Sequence, residues 1–137
     1  MVTQKYINEL SFKIIGAAIE VHKIMGRGLI ESVYHECMKE ELRLRNINFV
    51  SELKVFANFK GKNLECDFRC DLLVENLIVV ELKAVTAMHP VFESKLLTYM
   101  KLLKSPKGVL INFNCYSIFK EGQKTFVNEY YRQFPIE

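Results

Sequence analysis

The chain has 137 residues, of which 50% are hydrophobic and 26% are charged. This length and composition predict a single globular domain over residues 1–137, with enough apolar residues for a substantial core. The net charge of +3 is compatible with a nucleic-acid partner but does not predict one, because a basic footprint requires clustering on one surface. No apolar run approaches the roughly 20 residues that cross a bilayer, so the sequence excludes a membrane-spanning helix and predicts a soluble protein.

The cysteines and the N-terminal sequence together predict the cellular compartment. The N-terminal stretch MVTQKYINELSF lacks the basic region and the unbroken apolar stretch of a secretion signal, so we expect a reducing, cytoplasmic setting. Cys66 and Cys70 could supply two zinc ligands together with a histidine, but their spacing is not that of a zinc finger or ribbon. The expected role of each cysteine is that of a small buried hydrophobic residue.

Two amphipathic helices are predicted at the start of the chain. From about Gln4 to Met25, apolar residues recur every three or four positions, as one face of a helix requires. Gly26 and Gly28 end this helix, because glycine readily adopts the backbone of a C-cap and a tight turn. A second helix is predicted from near Leu29 to about Arg45. The apolar faces of both helices are needed to cover a sheet, and they are equally compatible with a homo-oligomer.

Three strands in hairpin order are predicted next. The first runs from about Leu53 to Phe59, and the second, after a turn in the sequence KGKN, runs from about Leu64 to Val74. The third runs from Ile78 to Lys83. Its uninterrupted Ile-Val-Val predicts a central strand that is covered on both faces.

The rest of the chain predicts one more helix and a fourth strand. Proline suits a helix start, so a helix is expected from about Val91 to Leu103, followed by a strand from Val109 to Phe113. Weaker strand character occurs from Ser117 to Phe119 and from Thr125 to Val127. This order predicts an α/β fold with a mixed sheet flanked by helices. If the fourth strand is parallel to its neighbour, a right-handed crossover should connect them.

The segment from Asp71 to Lys83 places ionisable side chains where a sheet should have apolar ones. Glu81 and Lys83 project from one face of the third strand, because side chains alternate along a strand. If residues 75–77 form a three-residue hairpin turn, Asp71 lies opposite Glu81 on the same face. Opposed like charges destabilise a sheet, and burying them costs more still. A divalent cation between the two carboxylates would remove this penalty.

Two carboxylates and an ammonium group on one sheet face are suited to phosphodiester hydrolysis. Magnesium binds oxygen ligands and commonly takes one or two protein carboxylates. The bound metal lowers the pKa of its water and neutralises charge on the phosphate, while a lysine stabilises the same charge electrostatically. The structural alternative is that Asp71 and Lys83 reach solvent at strand ends and that Glu81 pairs with a lysine.

Three further residues have structural explanations beside functional ones. Glu31 lies in the first turn of the second helix, where the helix dipole favours a carboxylate by about 0.3–1 kcal/mol. Tyr34 is on the same helical face and is of a type more often found as a core aromatic residue. His22, near the end of the first helix, is compatible with a buried structural role or with the acid–base chemistry of imidazole.

Several separated motifs carry a resemblance to a known family. The segment GLIESVY at residues 28–34 fits the pattern Gly-x-x-Glu-x-x-Tyr, and AAIEVHKIMGRG before it and DLLVENLIVVELKAV after it match the same family. From its first helix to the INF strand, the chain resembles the bacterial and archaeal GxxExxY proteins, a branch of the PD-(D/E)xK nuclease superfamily. The resemblance implies a restriction-endonuclease-like α-β-β-β-α-β core with an extra N-terminal helix. It also implies a Mg²⁺- or Mn²⁺-dependent nuclease, with DNA expected rather than RNA.

The resemblance also implies roles for individual residues. Asp71 and Glu81 would be metal ligands, with the main-chain carbonyl of Leu82 as a third. Lys83 would be the catalytic lysine. Glu31 would be an additional acidic residue, with catalysis and metal binding as its two expected roles.

The helix containing ESKLLTYM is expected to border the same site. Glu93 and Tyr99 resemble the Glu-x-Gln-Leu-Leu-x-Tyr helix of related members, but Lys95 stands where that pattern has glutamine. Lysine keeps a donor, loses the acceptor and adds charge. This is compatible with phosphate binding, and also with a catalytically inactive module that binds nucleic acid or a protein partner. The expected substrate-binding residues are Tyr34, Lys95, Tyr99 and His22.

Overall fold

The described chain contains a five-stranded sheet whose strands lie side by side in chain order. The structure is a computed structural model, which describes residues 1–137 apart from the side chains of Asp67 and Phe68. Its elements in chain order are α1 (Gln4–Met25), α2 (Glu31–Leu44), β1 (Phe49–Phe59), β2 (Lys62–Val74), β3 (Ile78–Lys83), α3 (Pro90–Leu102), β4 (Lys107–Asn112), β5 (Gln123–Val127) and α4 (Glu129–Arg132). This order confirms the predicted α-β-β-β-α-β core with an extra N-terminal helix.

The strands form a mixed sheet. Strands β1, β2 and β3 pair in antiparallel fashion, β3 and β4 are parallel, and β5 is antiparallel to β4. Helix α3 connects the parallel pair, as such a connection requires. None of the helices in the described chain is both long and apolar enough to cross a membrane.

Helix α1 has the bounds that its periodicity predicts. The Thr3 side chain accepts a hydrogen bond from the Tyr6 backbone N–H at 3.0 Å, which caps the first turn. At the other end, Gly26 adopts a φ of 78°, and its N–H bonds to the His22 carbonyl at 2.9 Å. A positive φ is readily available to glycine, so the helix ends there.

Two hydrophobic clusters cover the two faces of the sheet. Helices α1 and α2 supply the larger cluster on one face, where they pack against Ile78, Val80 and Leu82 of β3. Helix α3 supplies the other, which includes Val79. Strand β3 is therefore buried on both faces, as its apolar run predicts.

Some predicted boundaries are wrong, and one element is of a different type. Strand β1 begins at Phe49, four residues before Leu53, because Phe49 pairs with Val74 at the far end of the hairpin. The weak strand character from Ser117 to Phe119 does not correspond to a strand, because residues 118–122 form a π-helical turn. The Ser117 carbonyl accepts hydrogen bonds from the Glu121 and Gly122 N–H groups, so local bonds replace a strand ladder. Strand β5 includes the predicted stretch from Thr125 to Val127.

Strands β1 and β2 extend well beyond β3. In the described chain, β2 pairs with β3 at Leu72, Leu73 and Val74, whereas its earlier residues pair with β1 alone. We call residues 53–70 the β1–β2 ribbon. The point where β2 separates from β3 leaves the second half of β3 without a neighbour on that side.

Candidate active site

A cavity of about 300 Å³ lies where β2 and β3 separate. Its walls come from the two strands, from the first turn of α2 and from α3. Six of the residues predicted from the sequence line it together. The complete lining consists of Glu31, Arg69, Asp71, Glu81, Lys83, Phe92, Lys95 and Tyr99.

The hairpin between β2 and β3 positions the two acids. Residues 75–77 form the predicted three-residue turn, and Leu72 pairs with Val80 as the last rung of the ladder. Asp71 lies one position beyond this rung, where the main-chain pairing has ended. Its side-chain Oδ2 instead accepts a hydrogen bond from the Leu82 N–H at 2.8 Å. A carboxylate thus satisfies a main-chain group that lies beyond the ladder.

Glu81 is a buried acid whose ionised form is on balance disfavoured by its surroundings. Its side chain lies in the interior, with the residue only 6% exposed, and its Oε1 has no hydrogen-bond partner there. Burial raises the pKa of this carboxyl group, and the neighbouring Asp71 raises it further, while Lys83 lowers it. The structural alternative, a Glu81–lysine ion pair, does not occur among the described side chains. The electrostatic penalty expected from the sequence is therefore present.

Lys83 is oriented by contacts from two helices. Its Nζ lies 3.9 Å from the Glu31 Oε1 and 4.5 Å from the centroid of the Phe92 ring. A carboxylate and an aromatic face both stabilise an ammonium group. The lysine side chain is 22% exposed, so its charge is partly shielded from solvent and directed into the cavity. Glu31 also keeps its favourable place in the first turn of α2.

Helix α3 forms the opposite wall with Phe92, Lys95 and Tyr99. Tyr99 is 5% exposed, and burial together with the nearby Glu81 carboxylate raises its pKa to about 12. Its hydroxyl is therefore protonated at neutral pH and able to donate a hydrogen bond. Lys95 is half-buried in the same wall.

Two lining residues were missed in the sequence interpretation, although each had a signal. Arg69 precedes Asp71 by two positions, and strand alternation places such residues on one face. Phe92 lies three positions before Lys95, which places both on one side of a helix.

Tyr34 and His22 are not brought to the cavity. Tyr34 is fully buried and stacks on Phe113, with ring centroids 4.4 Å apart. Its hydroxyl donates to the Gly26 carbonyl at 2.6 Å and accepts from the Leu29 N–H at 3.1 Å, so it ties down the turn between α1 and α2. The His22 Nε2 lies 2.9 Å from the Cys115 carbonyl oxygen. The substrate-binding role predicted for these two residues has no support in this geometry.

The oxygen atoms that line the cavity between β2 and β3 are suitable ligands for a hard divalent cation. No group of three or more His, Cys, Asp or Glu residues is arranged to hold a metal in the described part of the chain. The protein ligands would then be two carboxylates, Asp71 and Glu81, together with a main-chain oxygen. The Lys83 carbonyl accepts from the Phe113 N–H, on the β4 side, so alternation directs the Leu82 carbonyl toward the β2 side, like its N–H. Such oxygen ligands suit Mg²⁺ or Mn²⁺, and the unpartnered Glu81 Oε1 has room for a ligand bond.

Comparison with known proteins decides the family. Residues 8–126 match the family model of the PD-(D/E)XK nuclease superfamily. The chain belongs to this superfamily. The match confirms the resemblance at the level of the superfamily, whose nucleases generally use divalent metals, whereas membership of the GxxExxY branch stays a prediction.

Two further comparisons add less. Among curated proteins, none matches the sequence. A crystal structure of the protein SSO0001 is similar to this chain, with 19% sequence identity and a TM-score of 0.49. The matched region covers 71% of this chain and 49% of the SSO0001 chain. The chain therefore spans about half the length of that protein.

Proposed function

We propose that this PD-(D/E)XK protein is a Mg²⁺- or Mn²⁺-dependent nuclease that hydrolyses phosphodiester bonds, with DNA as its substrate. One observation carries the proposal: the buried Glu81 oxygen without a partner, placed beside Asp71 and Lys83 in an open cavity. A buried carboxyl oxygen without a hydrogen-bond partner is costly for a fold, and active sites are where such costs are found.

Each residue has a definite task in this proposal. Asp71, Glu81 and the Leu82 carbonyl would hold the ion, which when bound supplies a more acidic water and neutralises phosphate charge. Lys83 directs its ammonium group at the phosphate oxygens, where negative charge develops during hydrolysis. Glu31 orients the Lys83 ammonium group through their 3.9 Å contact. Tyr99, protonated at neutral pH, donates a hydrogen bond from the opposite wall.

The direct test is cleavage of linear, nicked and single-stranded DNA and of RNA in Mg²⁺ or Mn²⁺. We expect cleavage of DNA that stops with EDTA and is lost in the double variant Asp71→Ala/Glu81→Ala. The matched control is Glu93→Ala, because Glu93 is an acid of α3 that pairs with Lys124 outside the cavity lining. Cleavage that persists in the double variant would assign the activity to another site or to a contaminant.

The alternative function is a catalytically inactive module with the same fold, which binds nucleic acid or a protein partner. Lys95 favours it, because it places a second ammonium group in the wall where the related pattern has glutamine. A thermal-shift titration separates the two functions, since an ion at 100 times its Kd stabilises the native state by about 2.7 kcal/mol. The absence of any shift with millimolar Mg²⁺ or Mn²⁺ would count against the nuclease.

We expect Lys95→Gln to raise KM about tenfold with little change in kcat. A lysine that binds a substrate phosphate contributes about 1.4 kcal/mol in both ground and transition states, which corresponds to tenfold in affinity. Steady-state cleavage kinetics on a fluorogenic oligonucleotide would measure this split. An increase in kcat would instead indicate that Lys95 inhibits a site which glutamine restores.

A further inference from the structure

One face of the β1–β2 ribbon continues outward from the candidate active site. Arg69 lines the cavity, and Lys54 is its direct partner in the β1–β2 register. Partners across a ladder project from the same face of a sheet. Phe56 follows Lys54 by two positions and pairs with Glu65, whose Oε1 lies 3.7 Å from the Lys54 Nζ. We call Lys54, Phe56, Glu65 and Arg69 the ribbon face.

The ribbon face carries positive charge where a sheet would avoid it. Two cations directly opposite each other destabilise a strand pair, and Lys54 and Arg69 occupy such a position. Arg69 forms no ion pair or hydrogen bond with the side chains that the structure describes. Arg69 lines the cavity together with Lys83 and Lys95, and with the acids Glu31, Asp71 and Glu81. A phosphate of a nucleic-acid strand that left the cavity along the ribbon would compensate the Arg69 charge.

Phe56 is exposed and takes no part in the hydrophobic core. It is 53% exposed, whereas Val55, its neighbour on the other face, is completely buried in the cluster with α3. The ribbon therefore satisfies its hydrophobic contacts through the opposite face. An exposed aromatic ring beside basic side chains is typical of proteins that stack unpaired bases, with about 1–3 kcal/mol for each base.

Stacking on an exposed aromatic side chain selects for unpaired nucleic acid. In a duplex the faces of the bases are covered by their neighbours, and basic groups alone are enough for binding to the backbone. The rise of about 3.3 Å per strand residue separates Lys54 and Phe56 by about 7 Å, which is comparable with the length of one extended nucleotide. This separation suits a single strand with a phosphate at Lys54 and a base at Phe56.

We propose that the ribbon face binds an unpaired segment of the nucleic acid, with Arg69 and Lys54 on phosphates and Phe56 stacked on a base. The proposal rests on the proposed function, which supplies the nucleic acid in the cavity. Its substrate class is single-stranded DNA or a duplex with an unpaired overhang.

The test is fluorescence anisotropy with a single strand, a blunt duplex and a duplex with an overhang, in Ca²⁺ and in EDTA. We expect Phe56→Ala to weaken binding of the single strand and of the overhang about tenfold, and to leave the blunt duplex unaffected. Phe59→Ala is the matched control: it is 64% exposed on the same ribbon, three positions further and so on the opposite face. Its binding should equal that of the wild type.

The contributions of Arg69 and Lys54 are measured through the salt dependence of binding. Arg69→Ala and Lys54→Ala should each reduce the salt dependence of single-strand binding by about one phosphate contact. Lys62→Ala, which removes the same charge at the ribbon tip, is the control and should change it less.

Three outcomes would overturn the proposal. The first is unchanged single-strand affinity in Phe56→Ala, and the second is an equal loss in Phe59→Ala. The third is a change of oligomeric state in Phe56→Ala by size-exclusion chromatography at constant nucleic-acid affinity, which would make this face an interface between copies of the chain. Metal-dependent cleavage by the wild type is measured separately. Failure of the ribbon proposal would therefore leave the nuclease proposal intact, and failure of cleavage would leave a result for single-strand binding intact.

Discussion

Replacing Glu81 with glutamine should stabilise the metal-free protein and abolish its cleavage activity. The neutral amide has nearly the same shape, but it has no charge to desolvate beside Asp71. Burial and Asp71 raise the pKa of Glu81 in the folded state above its ordinary value of 4.5, so ionising this group at pH 7 costs free energy in the folded protein but not in the unfolded chain. Removing this penalty should raise the free energy of unfolding by about 1–3 kcal/mol. Thermal denaturation in EDTA would measure the gain.

The pH dependence has a definite sign. Because burial and Asp71 raise the pKa of Glu81, this group favours the folded state most below pH 4.5, and the favourable contribution is lost as the pH rises toward the raised value. The stability of the metal-free wild type should therefore decline across neutral pH, and Glu81→Gln should flatten the decline. Added Mn²⁺ should stabilise the wild type and leave the variant unchanged.

Glu93→Gln is the control for this experiment. Glu93 is also partly buried, but its carboxylate pairs with the Lys124 Nζ at 3.1 Å, so the substitution removes a favourable contact. Its stability should fall slightly or stay constant. A Glu81→Gln variant that is less stable than the wild type in EDTA would mean that a partner stabilises the ionised carboxylate.

The fold could be predicted where local signals agree with the packing. The apolar spacing of α1 and the glycine at its end are local, so both bounds of the helix followed from the sequence. The start of β1 depends on Phe49 pairing with Val74, a contact across the hairpin that no local pattern reveals. The π-helical turn after Ser117 depends on two hydrogen bonds to one carbonyl, in a stretch whose composition also suits a strand.

Some features of the candidate site could likewise be predicted from the sequence, whereas others depend on tertiary packing. Asp71 and Glu81 follow the last paired residues, Leu72 and Val80, and line one cavity; strand alternation and the length of one turn, both readable from the sequence, predict this. The contact between Glu31 and Lys83 depends on how α2 packs beside β3, so spacing alone could not predict it. Tyr34 shows the converse: its motif suggests function, while its stacking on Phe113 and its bonds to the α1–α2 turn are structural.

Replacing Lys83 with methionine should lower kcat about 10²- to 10³-fold, the range expected for removing one charged group that stabilises the transition state. Methionine keeps most of the unbranched stem and still packs favourably on the Phe92 ring, so the fold should be preserved. Metal affinity should stay equal or rise, because the variant lacks an ammonium group next to the proposed ligand Glu81. Single-turnover cleavage and a Mn²⁺ thermal-shift titration would measure the two quantities.

The control and a second substitution make this experiment decisive. Lys124→Met removes a lysine that pairs with Glu93 away from the cavity lining, and its kcat should equal that of the wild type. Lys83→Arg should restore little activity, because the planar guanidinium has a different shape and cannot keep the same contacts with Glu31 and Phe92. If Lys83→Met kept full kcat, the ammonium group would not stabilise the phosphate. If it lost metal binding together with kcat, its effect would arise from the metal site rather than from the lysine charge.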